Sequence, residues 1–546
     1  MIQPKNLYLI FLILMLLIAG CRQLSIEKRT LESTNKVALE EEIFYLIFPR
    51  SFFDSNGDRI GDLNGVTQQL DYIQDLGITS IIMTPLYPSS YYHNYFTHDY
   101  YGIDSEFGTV DDYFNMVKEI HRRGMKFYMD TELQYVIKEH PWFGESFQNP
   151  NSEFSNYVMY KDSLNTEPET MVFDLKGLKS YDGYYTDITI VNLYKEEVAE
   201  YIKDYYAFWV DPNGDGSFED GVDGFRIDAF HNDQLKKGIL TNLAQGFWKP
   251  IIDNSKRINP DVTFVAEQAT WDDGDAHSWM KKSGVEVAYS FGLHFNVNNP
   301  TILREYFKWS KQDLPEGKNM FAFLDQHDTD RVLSKIGNNT AKNKQLATLT
   351  YLMKFIPYIY YGQEIGMTGK REELIRHESL LELSDGLDIS VREPFEWTAD
   401  INEAGNALWF ENVQPYWEKK SIKSKDGISV EEQINNPNSL LNFYRKILKF
   451  RSSNSAFTTG EFEIIQHEND STFTYCRWNN LSGYILAFNL TDQATSMIIN
   501  TEELPFEPSE NSWKTVFSDD ESQFSSLNEN IEIQMVKNGF IILESK

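Results

Sequence analysis

The amino-acid sequence predicts an α/β protein, a (β/α)8 TIM barrel with an inserted subdomain after strand 3 and a C-terminal all-β sandwich domain. Three features lead to this prediction. Eight short apolar runs alternate with loops and helical patterns, one polar stretch at 131–190 interrupts that alternation, and the helical patterns stop near residue 459. Repeated strand-then-helix order indicates parallel strands, and eight of them indicate a closed barrel.

Residues 1–20 have the pattern of an export signal. Lys5 precedes an apolar run from Leu7 to Ala19, which is too short to span a bilayer. Ile18-Ala19-Gly20-Cys21 resembles the bacterial lipobox, in which the cysteine is lipidated and becomes the new N-terminus. The alternative is an ordinary signal peptide followed by a chance cysteine. We expect an exported protein, anchored to the bacterial cell envelope by lipid on Cys21, with residues 21–42 as a polar tether.

The predicted barrel occupies residues 43–130 and 191–458. Its strands are expected at Ile43–Phe48, Ile78–Met83, Met125–Asp130, Gly224–Ile227, Thr263–Ala266, Val285–Ser290, Met320–Leu324 and Ile356–Tyr360. Helical patterns between several of these strands lie at Val66–Leu76, Asp111–Arg123, Lys195–Val210 and Thr340–Lys354. An open doubly wound sheet is the alternative, but no Gly-x-Gly-x-x-Gly follows any of the strands.

Two segments depart from the barrel pattern. Residues 131–190 are too many for a short βα loop and are rich in Asn, Asp, Tyr and Ser, so we expect a small subdomain over the top of the barrel. Residues 459–546 are expected to form the β-sandwich, because their strand-like runs are separated by turns without helices: Phe462–Ile465, Thr472–Trp478, Tyr484–Asn489 and Ile531–Val536.

The composition limits the possible partners. A net charge of -32 repels nucleic acid and anionic lipid, so neither is expected to bind the folded domains. The same charge is compatible with neutral substrates and with divalent cations. An aromatic content of 14% suits stacking on sugar rings. The chain has only two cysteines, Cys21 and Cys476, so lipid on Cys21 would exclude an internal disulfide.

Acidic residues follow several predicted strands at the same end. Asp130 ends the third strand, Asp228 the fourth and Glu267 the fifth, while His327 and Asp328 follow the seventh. Because the C-terminal ends of barrel strands surround one pocket, these side chains are expected to converge. Gathering carboxyl groups costs free energy, so the cluster favours a catalytic site.

Arg226 lies two positions before Asp228, so the two side chains point to the same side of the strand. A neighbouring guanidinium favours the ionised form of a carboxyl group, which is the form a carboxylate nucleophile needs. The alternative is a structural ion pair that ends a buried strand.

These motifs, taken together and in order, resemble the α-amylase family of glycoside hydrolases, glycoside hydrolase family 13, over nearly all of the chain after the tether. The matching segments are Gly224-Phe225-Arg226-Ile227-Asp228-Ala229, Glu267 after the fifth strand, His327-Asp328, the stretches Phe48–Asp62 and Gly77–Pro85, and Ile359-Tyr360-Tyr361-Gly362-Gln363-Glu364.

The resemblance implies a retaining mechanism. Asp228 would be the nucleophile and Glu267 the acid/base, about 5–5.5 Å apart. Asp328 would be the third carboxylate and would bind sugar hydroxyls with His327. Arg226 would hold Asp228 ionised. Tyr95, in His93-Asn94-Tyr95, matches the family tyrosine that stacks on the sugar, although a packed loop aromatic is the alternative. His231 is expected to contact the leaving-group sugar.

The sequence also departs from the family pattern. Gln134 and Tyr135 stand where the family usually has Asn and His after the third strand, which puts the family's calcium between barrel and insertion in doubt. Gln326 replaces the usual Asn before His327-Asp328. None of these changes removes a carboxylate of the expected catalytic set.

Two Asp- and Asn-rich loops are candidate sites for a structural Ca2+ or Mg2+, because hard cations prefer oxygen ligands at alternate positions. The first would use Asp54, Asn56, Asp58, the Ile60 carbonyl and Asp62, and the second Asp211, Asn213, Asp215 and Asp220. Arg59 stands where glycine would make the turn easier. The alternative for both loops is a solvated turn.

The sequence therefore predicts a retaining, α-amylase-like hydrolase of α-1,4-glucosidic bonds in starch, glycogen or maltooligosaccharides. α-Glucosidase, neopullulanase-like and glucanotransferase activities are alternatives, because pocket shape decides among them. A non-catalytic glycan-binding lipoprotein is an alternative of a different class.

Overall fold

The computed structural model describes residues 37–545 except 172–173, 235–236, 270, 272–275, 372–384, 415, 466–468, 509–511 and 528, and without the side chains of 310–313. The predicted export signal, Cys21 and most of the tether lie outside the described residues. Within the described part, no helix combines the length and the apolar character needed to cross a membrane.

Eight parallel strands close into a barrel, in the hydrogen-bonded order β1, β11, β10, β9, β8, β7, β3 and β2. The strands are β1 (Phe44–Ile47), β2 (Ser80–Met83), β3 (Lys126–Thr131), β7 (Gly224–Phe230), β8 (Thr263–Gln268), β9 (Val287–Tyr289), β10 (Asn319–Ala322) and β11 (Ile356–Tyr360). The barrel closes where Phe44 of β1 pairs with Tyr358 of β11. The predicted barrel is thus confirmed, and every predicted strand overlaps an observed one.

Large aromatic side chains fill part of the barrel. Phe44 makes edge-to-face contacts with Tyr128 and Phe321, at ring-centroid distances of 4.8 and 4.7 Å. Tyr289 and Tyr358 meet in the same way at 5.1 Å. All five side chains are fully buried, and burying an aromatic ring of this size contributes about 2–3 kcal/mol. This packing fixes the strands whose C-terminal ends carry the acidic residues.

Helices follow most of the barrel strands. They lie at Leu63–Gln68, Leu70–Leu76, Val110–Arg122, Pro141–Gly144, Glu196–Val210, Lys249–Ile258, Ala276–Ser283, Phe291–Asn296, Pro300–Asp313, Val332–Lys335, Thr340–Tyr351, Tyr416–Lys419, Val430–Gln433, Leu440–Ser452 and Ser455–Thr458. The predicted helix Val66–Leu76 is two short helices, because Gln69 leaves the helical conformation (φ -98°, ψ 6°). Thr109 begins Val110–Arg122 with a reciprocal capping box to Asp112.

A three-stranded antiparallel sheet lies in the segment between β3 and β7. It consists of β4 (Tyr135–Ile137), β5 (Gly177–Lys179) and β6 (Tyr185–Ile190), in the order β4, β6, β5. Tyr91, from the segment after β2, donates to the carbonyl of Leu178 at 2.7 Å. The inserted sheet is thereby joined to the segment that carries Tyr95.

The C-terminal part is all-β, as predicted. One sheet contains β12 (Glu461–Ile464), β13 (Thr472–Trp478), β14 (Gly483–Asn489), β19 (Phe540–Ser545) and β16 (Trp513–Ser518), and the other β15 (Thr495–Asn500), β18 (Asn530–Met535) and β17 (Gln523–Leu527). Side chains from both sheets, including Cys476 and Ile533, share one buried core. Cys476 is a free, buried thiol. Gln345 of the barrel donates to the carbonyls of Asn489 and Gly539 at 2.6 and 2.9 Å, which fastens this part to the barrel.

Candidate active site

Arg226 and Asp228 lie on the same side of β7, as their spacing predicted. Arg226 Nη1 donates to Asp228 Oδ1 at 2.7 Å. The strand register shifts between Ile227 and Phe230, and Ala229 has a positive φ of 43°. Left-handed backbone at a residue other than glycine is strained, and such strain is common beside reactive groups. The bulge leaves Asp228 partly exposed at the end of an otherwise buried strand.

The guanidinium of Arg226 joins carboxyl groups from three adjacent strands. Nη1 donates to both oxygens of Asp130 at 2.7 Å as well as to Asp228. Nη2 lies 2.9 Å from Glu267 Oε2, as an ion pair that is not aligned for a hydrogen bond. Arg226 and Asp130 are completely buried. A planar cation with several donors can hold three anions at once, which a lysine ammonium could not do with the same geometry.

Glu267 is the carboxyl group of this set that is best suited to carry a proton. Burial raises its pKa well above the ordinary range, and the charges of Asp228 and Asp328 raise it further, against the lowering effect of Arg226. Its Oε2 also accepts the backbone N–H of Ala229 at 3.3 Å. A protonated Glu267 beside an Asp228 paired with Arg226 provides an acid and a carboxylate nucleophile in one pocket.

Asp328 contacts a guanidinium and an imidazole. Burial alone would raise its pKa, but His327 and Arg392 outweigh burial and hold the pKa well below the ordinary range. Asp328 Oδ2 lies 3.0 Å from His327 Nε2, and Oδ1 accepts from Arg392 Nη2 at 2.7 Å. Asp328 is therefore ionised and held in one orientation.

Tyr95 links the carboxyl groups around Arg226 to His327 and Asp328. Its hydroxyl donates to Asp130 Oδ2 at 2.7 Å and lies 2.9 Å from His327 Nε2. The Tyr95 and His327 rings are nearly parallel, with centroids 5.6 Å apart. The structure thus brings together six of the seven residues predicted for catalysis and sugar binding: Asp228, Glu267, Asp328, Tyr95, Arg226 and His327.

The seventh of these residues, His231, lies one position beyond the end of β7 and is partly exposed. Its contact with a leaving-group sugar stays a prediction.

Of the two substituted positions after β3, Gln134 is bonded to the strand that carries Asp228. Gln134 Nε2 donates to the carbonyls of Asp228 and Ala229 at 2.9 and 3.1 Å. These two hydrogen bonds hold the strained backbone at Ala229 in place. Tyr135 begins β4. Between Asp130 and Gln134, Glu132 is buried beside Asp228, and sequence reasoning missed it because one acid after a strand looks like an ordinary loop residue.

Arg392 is the other contact that sequence reasoning missed. It follows β11 in the chain, 64 residues after Asp328, and no local pattern links the two positions. Arg392 Nη1 also lies 2.9 Å from the hydroxyl of Tyr92. The Tyr92 ring stacks on Trp409 at 4.9 Å, and Tyr181 of the inserted segment meets Trp409 edge-on at 5.4 Å. These three aromatic residues, Tyr92, Trp409 and Tyr181, form an aromatic wall that reaches Asp328 through Arg392.

The first predicted cation loop, at 54–62, is held by its own hydrogen bonds. Asp54 accepts backbone N–H groups of Asn56, Gly57 and Arg59 at 2.7–3.2 Å. Asp62 caps the helix Leu63–Gln68 by accepting from Gly65 at 2.7 Å. Arg59 has the left-handed conformation that the sequence suggested, with φ 76°. The carboxylates of Asp54 and Asp62 thus accept N–H groups of the chain itself and have donors without an ion.

The second predicted loop, at 211–220, differs in one respect. Asp211 Oδ1 and Asp220 Oδ1 are both buried and have no hydrogen-bond partner in the structure. The other oxygens accept from Gly216 N at 3.0 Å and from Asn213 Nδ2 at 2.9 Å. Two buried carboxylate oxygens without donors fit a hard cation better than a solvated turn. Among the described residues, however, no group of three or more His, Cys, Asp or Glu has the arrangement of a metal site.

Comparison with known proteins gives one consistent family. A model described as "Alpha amylase, catalytic domain" matches residues 46–460. Alpha-amylase 3 of Dictyoglomus thermophilum is 29% identical over 452 residues, covering 81% of this chain and 83% of that protein. Oligo-1,6-glucosidase of Bacillus cereus is 27% identical over 522 residues, covering 83% and 90%. The crystal structure of α-amylase from H. orenii has a TM-score of 0.72 at 26% identity, covering 92% of this chain and 99% of that one.

Proposed function

The chain belongs to the α-amylase family of glycoside hydrolases, and on that premise we propose that it cleaves α-1,4-glucosidic bonds of starch, glycogen or maltooligosaccharides with retention of configuration. The observation that carries this proposal is the Arg226 guanidinium, which holds Asp228 and Glu267 within 2.9 Å of its two terminal nitrogens. A paired carboxylate and a carboxyl group that retains its proton are the two groups that retaining hydrolysis requires.

In the first step, Asp228 attacks the anomeric carbon as the bond to the glycosidic oxygen breaks. Glu267 gives its proton to that oxygen, so the leaving sugar departs with a hydroxyl group and Glu267 becomes a carboxylate. In the second step, Glu267 takes a proton from water, the water oxygen bonds to the anomeric carbon, and Asp228 is released. Arg226 stabilises each carboxylate when it is negative.

Asp328 and His327 act on the sugar rather than on the bond that breaks. An ionised Asp328, fixed by Arg392 and His327, would accept hydrogen bonds from sugar hydroxyls and favour the distorted, oxocarbenium-like ring. Tyr95, placed between Asp130 and His327, would present its ring to the same sugar.

The aromatic wall favours a second candidate, an α-glucosidase that removes single glucose units. Tyr92, Trp409 and Tyr181 connect the segment after β2, the segment after β11 and the insertion on the side of Asp328. Such a wall would close one end of the pocket and restrict the enzyme to chain ends, whereas an open cleft allows internal cleavage. Relatives named oligo-1,6-glucosidase agree with this candidate and add α-1,6 bonds to the linkages to be tested.

The experiment is to incubate the soluble form, which lacks residues 1–21, with maltoheptaose labelled at its reducing end. A mixture of internal fragments supports the amylase, release of glucose alone supports the α-glucosidase, and longer products indicate a glucanotransferase. Asp228→Asn should abolish turnover. The matched control is Asp223→Asn, because Asp223 lies just before the opposite end of β7, where it accepts from the Phe127 N–H at 2.9 Å. No turnover of any α-glucan by the wild type would leave the glycan-binding alternative.

We also propose that the protein is exported and anchored to the cell envelope through lipid on Cys21. The support is the run Ile18-Ala19-Gly20-Cys21 after a short apolar segment. Labelled palmitate should enter the full-length protein and should not enter Cys21→Ser. Equal labelling of the two proteins would refute the anchor.

A structural Ca2+ or Mg2+ is proposed for the loop at 211–220, where the unpartnered oxygens of Asp211 and Asp220 would be its ligands. Bound there, the ion would neutralise buried charge just before β7, and it would have no part in the chemistry.

A further inference from the structure

A fourth carboxyl group lies beside Asp228, and the mechanism above does not use it. It belongs to Glu132, which directly follows β3 and is 1% exposed. The neighbouring Gln134 donates to the carbonyls of Asp228 and Ala229, so the two backbone segments are fastened together at this point. The segment that carries Glu132 is therefore bonded to the strand that carries Asp228.

The two oxygens of Glu132 have different surroundings. Oε1 accepts the backbone N–H of Gln134 and, at 3.1 Å, the N–H of Tyr135. These two bonds fix the orientation of the carboxyl group. Oε2 is fully buried and has no donor among the described residues. The carboxyl group of Asp228 interacts with that of Glu132, and two carboxyl oxygens can pair only when one of them carries a proton.

The charges around Glu132 decide where that proton lies. Arg226 pairs with Asp130, Asp228 and Glu267, and in the described part of the chain no Lys, Arg or His forms an ion pair with Glu132. The titratable groups that face it are Asp228, Tyr135, Tyr100 and Tyr206, of which the three phenols are neutral. Burial raises the pKa of Glu132 well above its ordinary value, and the charge of Asp228 raises it further. Arg226 stabilises a negative charge on Asp228, and no such cation pairs with Glu132 among the described residues. The proton is therefore expected on Glu132.

We propose that Glu132 carries a proton and donates a hydrogen bond from Oε2 to the carboxylate of Asp228, so that it positions the nucleophile. The inference rests on the proposed function, since it assigns Glu132 a task only if Asp228 attacks the sugar. Arg226 would hold one side of the Asp228 carboxylate and Glu132 another. A neutral donor orients the carboxylate without adding a second negative charge.

The test uses two substitutions that differ in one property. Glu132→Gln keeps a neutral hydrogen-bond donor of similar shape, and Glu132→Leu removes it at similar volume. The probe is 5-fluoro-α-D-glucosyl fluoride, which traps a carboxylate nucleophile covalently, and the trapping rate is measured against pH beside kcat/KM for maltotriose. Glu132→Leu should lower the trapping rate about tenfold and move the acidic limb of the profile up by about one pH unit, because the ionised Asp228 loses a donor. Glu132→Gln should keep the wild-type limb.

Three results would overturn the inference: an unchanged limb in Glu132→Leu, the same loss in both variants, or a limb that moves to lower pH in Glu132→Gln. The last result would mean that Glu132 is ionised and repels Asp228. If Glu132→Leu does not fold, the infrared difference spectrum between wild type and Glu132→Gln decides, because only a protonated Glu132 gives a carboxylic C=O band that the variant lacks. Asp228→Asn is run in parallel: trapping or turnover by that variant would refute the proposed function itself, whereas an inert Asp228→Asn with a normal Glu132→Leu would refute only the role of Glu132.

Discussion

Arg226 Nη1 lies 2.7 Å from Asp228 Oδ1, two positions further along the same strand. The same guanidinium reaches Asp130 on β3 and Glu267 on β8. A single buried cation thus contacts three carboxyl groups that come from three adjacent strands. Removing it would leave buried anions without a partner, which costs about 3–5 kcal/mol in comparable pairs.

Arg226→Lys should therefore lower both activity and stability. An ammonium cannot hold three carboxyl groups with the geometry of a guanidinium, so we expect kcat/KM to fall by about a hundredfold or more and the melting temperature to drop. The matched control is Arg451→Lys. Arg451 is equally buried, but its Nη1 donates to backbone carbonyls, those of Tyr351 and Met353, rather than to carboxyl groups. The control should lose stability and keep kcat/KM below its melting temperature. Equal losses of activity in both variants would contradict the assigned role of Arg226.

The position of Arg226 and Asp228 could be predicted from the sequence because it depends on one local rule, the alternation of side chains along a strand. The convergence of Glu267 and Asp328 with them followed from the barrel, since all strand ends meet at one face. Arg392 and Glu132 could not be found in this way. Arg392 reaches Asp328 from a segment after β11, and Glu132 becomes informative only when its missing donor and its neighbour are known. Contacts made by loops depend on packing that no short pattern encodes.

The same limit applies to the two Asp-rich loops. The spacing of their oxygens is nearly the same in the sequence, and the first loop was the more regular of the two. In the structure the Asp54 and Asp62 carboxylates accept several N–H groups, whereas Asp211 and Asp220 each keep one buried oxygen without a donor. Sequence spacing identifies candidate ligands, but the hydrogen bonds that compete for them are visible only in the fold.

Glu267→Gln should separate acid catalysis from nucleophilic attack. Without the proton of Glu267, cleavage of maltooligosaccharides should fall by about 10²- to 10⁴-fold, while α-glucosyl fluoride, whose leaving group needs no protonation, should still form the glycosyl-enzyme. Added azide should then speed turnover by attacking that intermediate. The control is Glu286→Gln, because Glu286 accepts from the Phe264 N–H at 2.9 Å near the opposite end of β8. An equal loss with both substrates in Glu267→Gln would refute the acid role.

The stability of the protein should depend on pH through another buried carboxyl group, that of Glu364 after β11. Burial raises its pKa to about 7 from an ordinary value of 4.5, although Tyr45 and Tyr72 donate to Oε1 at 2.7 and 2.8 Å and oppose the shift. Because the folded state holds this proton more tightly than the unfolded state does, protonation of Glu364 stabilises the fold. The contribution is complete below the unfolded-state pKa, and it is lost as the pH rises toward 7. Wild-type stability should therefore lose this contribution between about pH 4.5 and 7.

Glu364→Gln isolates that contribution, because glutamine keeps an acceptor for both tyrosines and never ionises. Relative to wild type, the variant should gain stability at pH 7.5 compared with pH 5, by an amount on the order of 2–3 kcal/mol. Denaturant unfolding of both proteins at the two pH values measures the difference. Asp75→Asn, at an exposed position of the same helix as Tyr72, serves as a surface control. If the gap between Glu364→Gln and wild type is the same at both pH values, Glu364 is not the group that titrates.

Calcium should stabilise the protein through the loop at 211–220 rather than the loop at 54–62. A ligand that binds only the folded chain adds about 2.7 kcal/mol when its free concentration is about 100 times Kd, so EDTA should lower the melting temperature and Ca2+ should restore it. Asp211→Asn removes one charge from the loop at 211–220, which has unpartnered oxygens. Asp54→Asn makes the same change in the loop at 54–62, whose carboxylates accept hydrogen bonds from the chain. The shift between EDTA and Ca2+ should shrink in Asp211→Asn and persist in Asp54→Asn. The reverse pattern would place the ion at 54–62, and a wild-type melt indifferent to both additions would refute a structural cation in either loop.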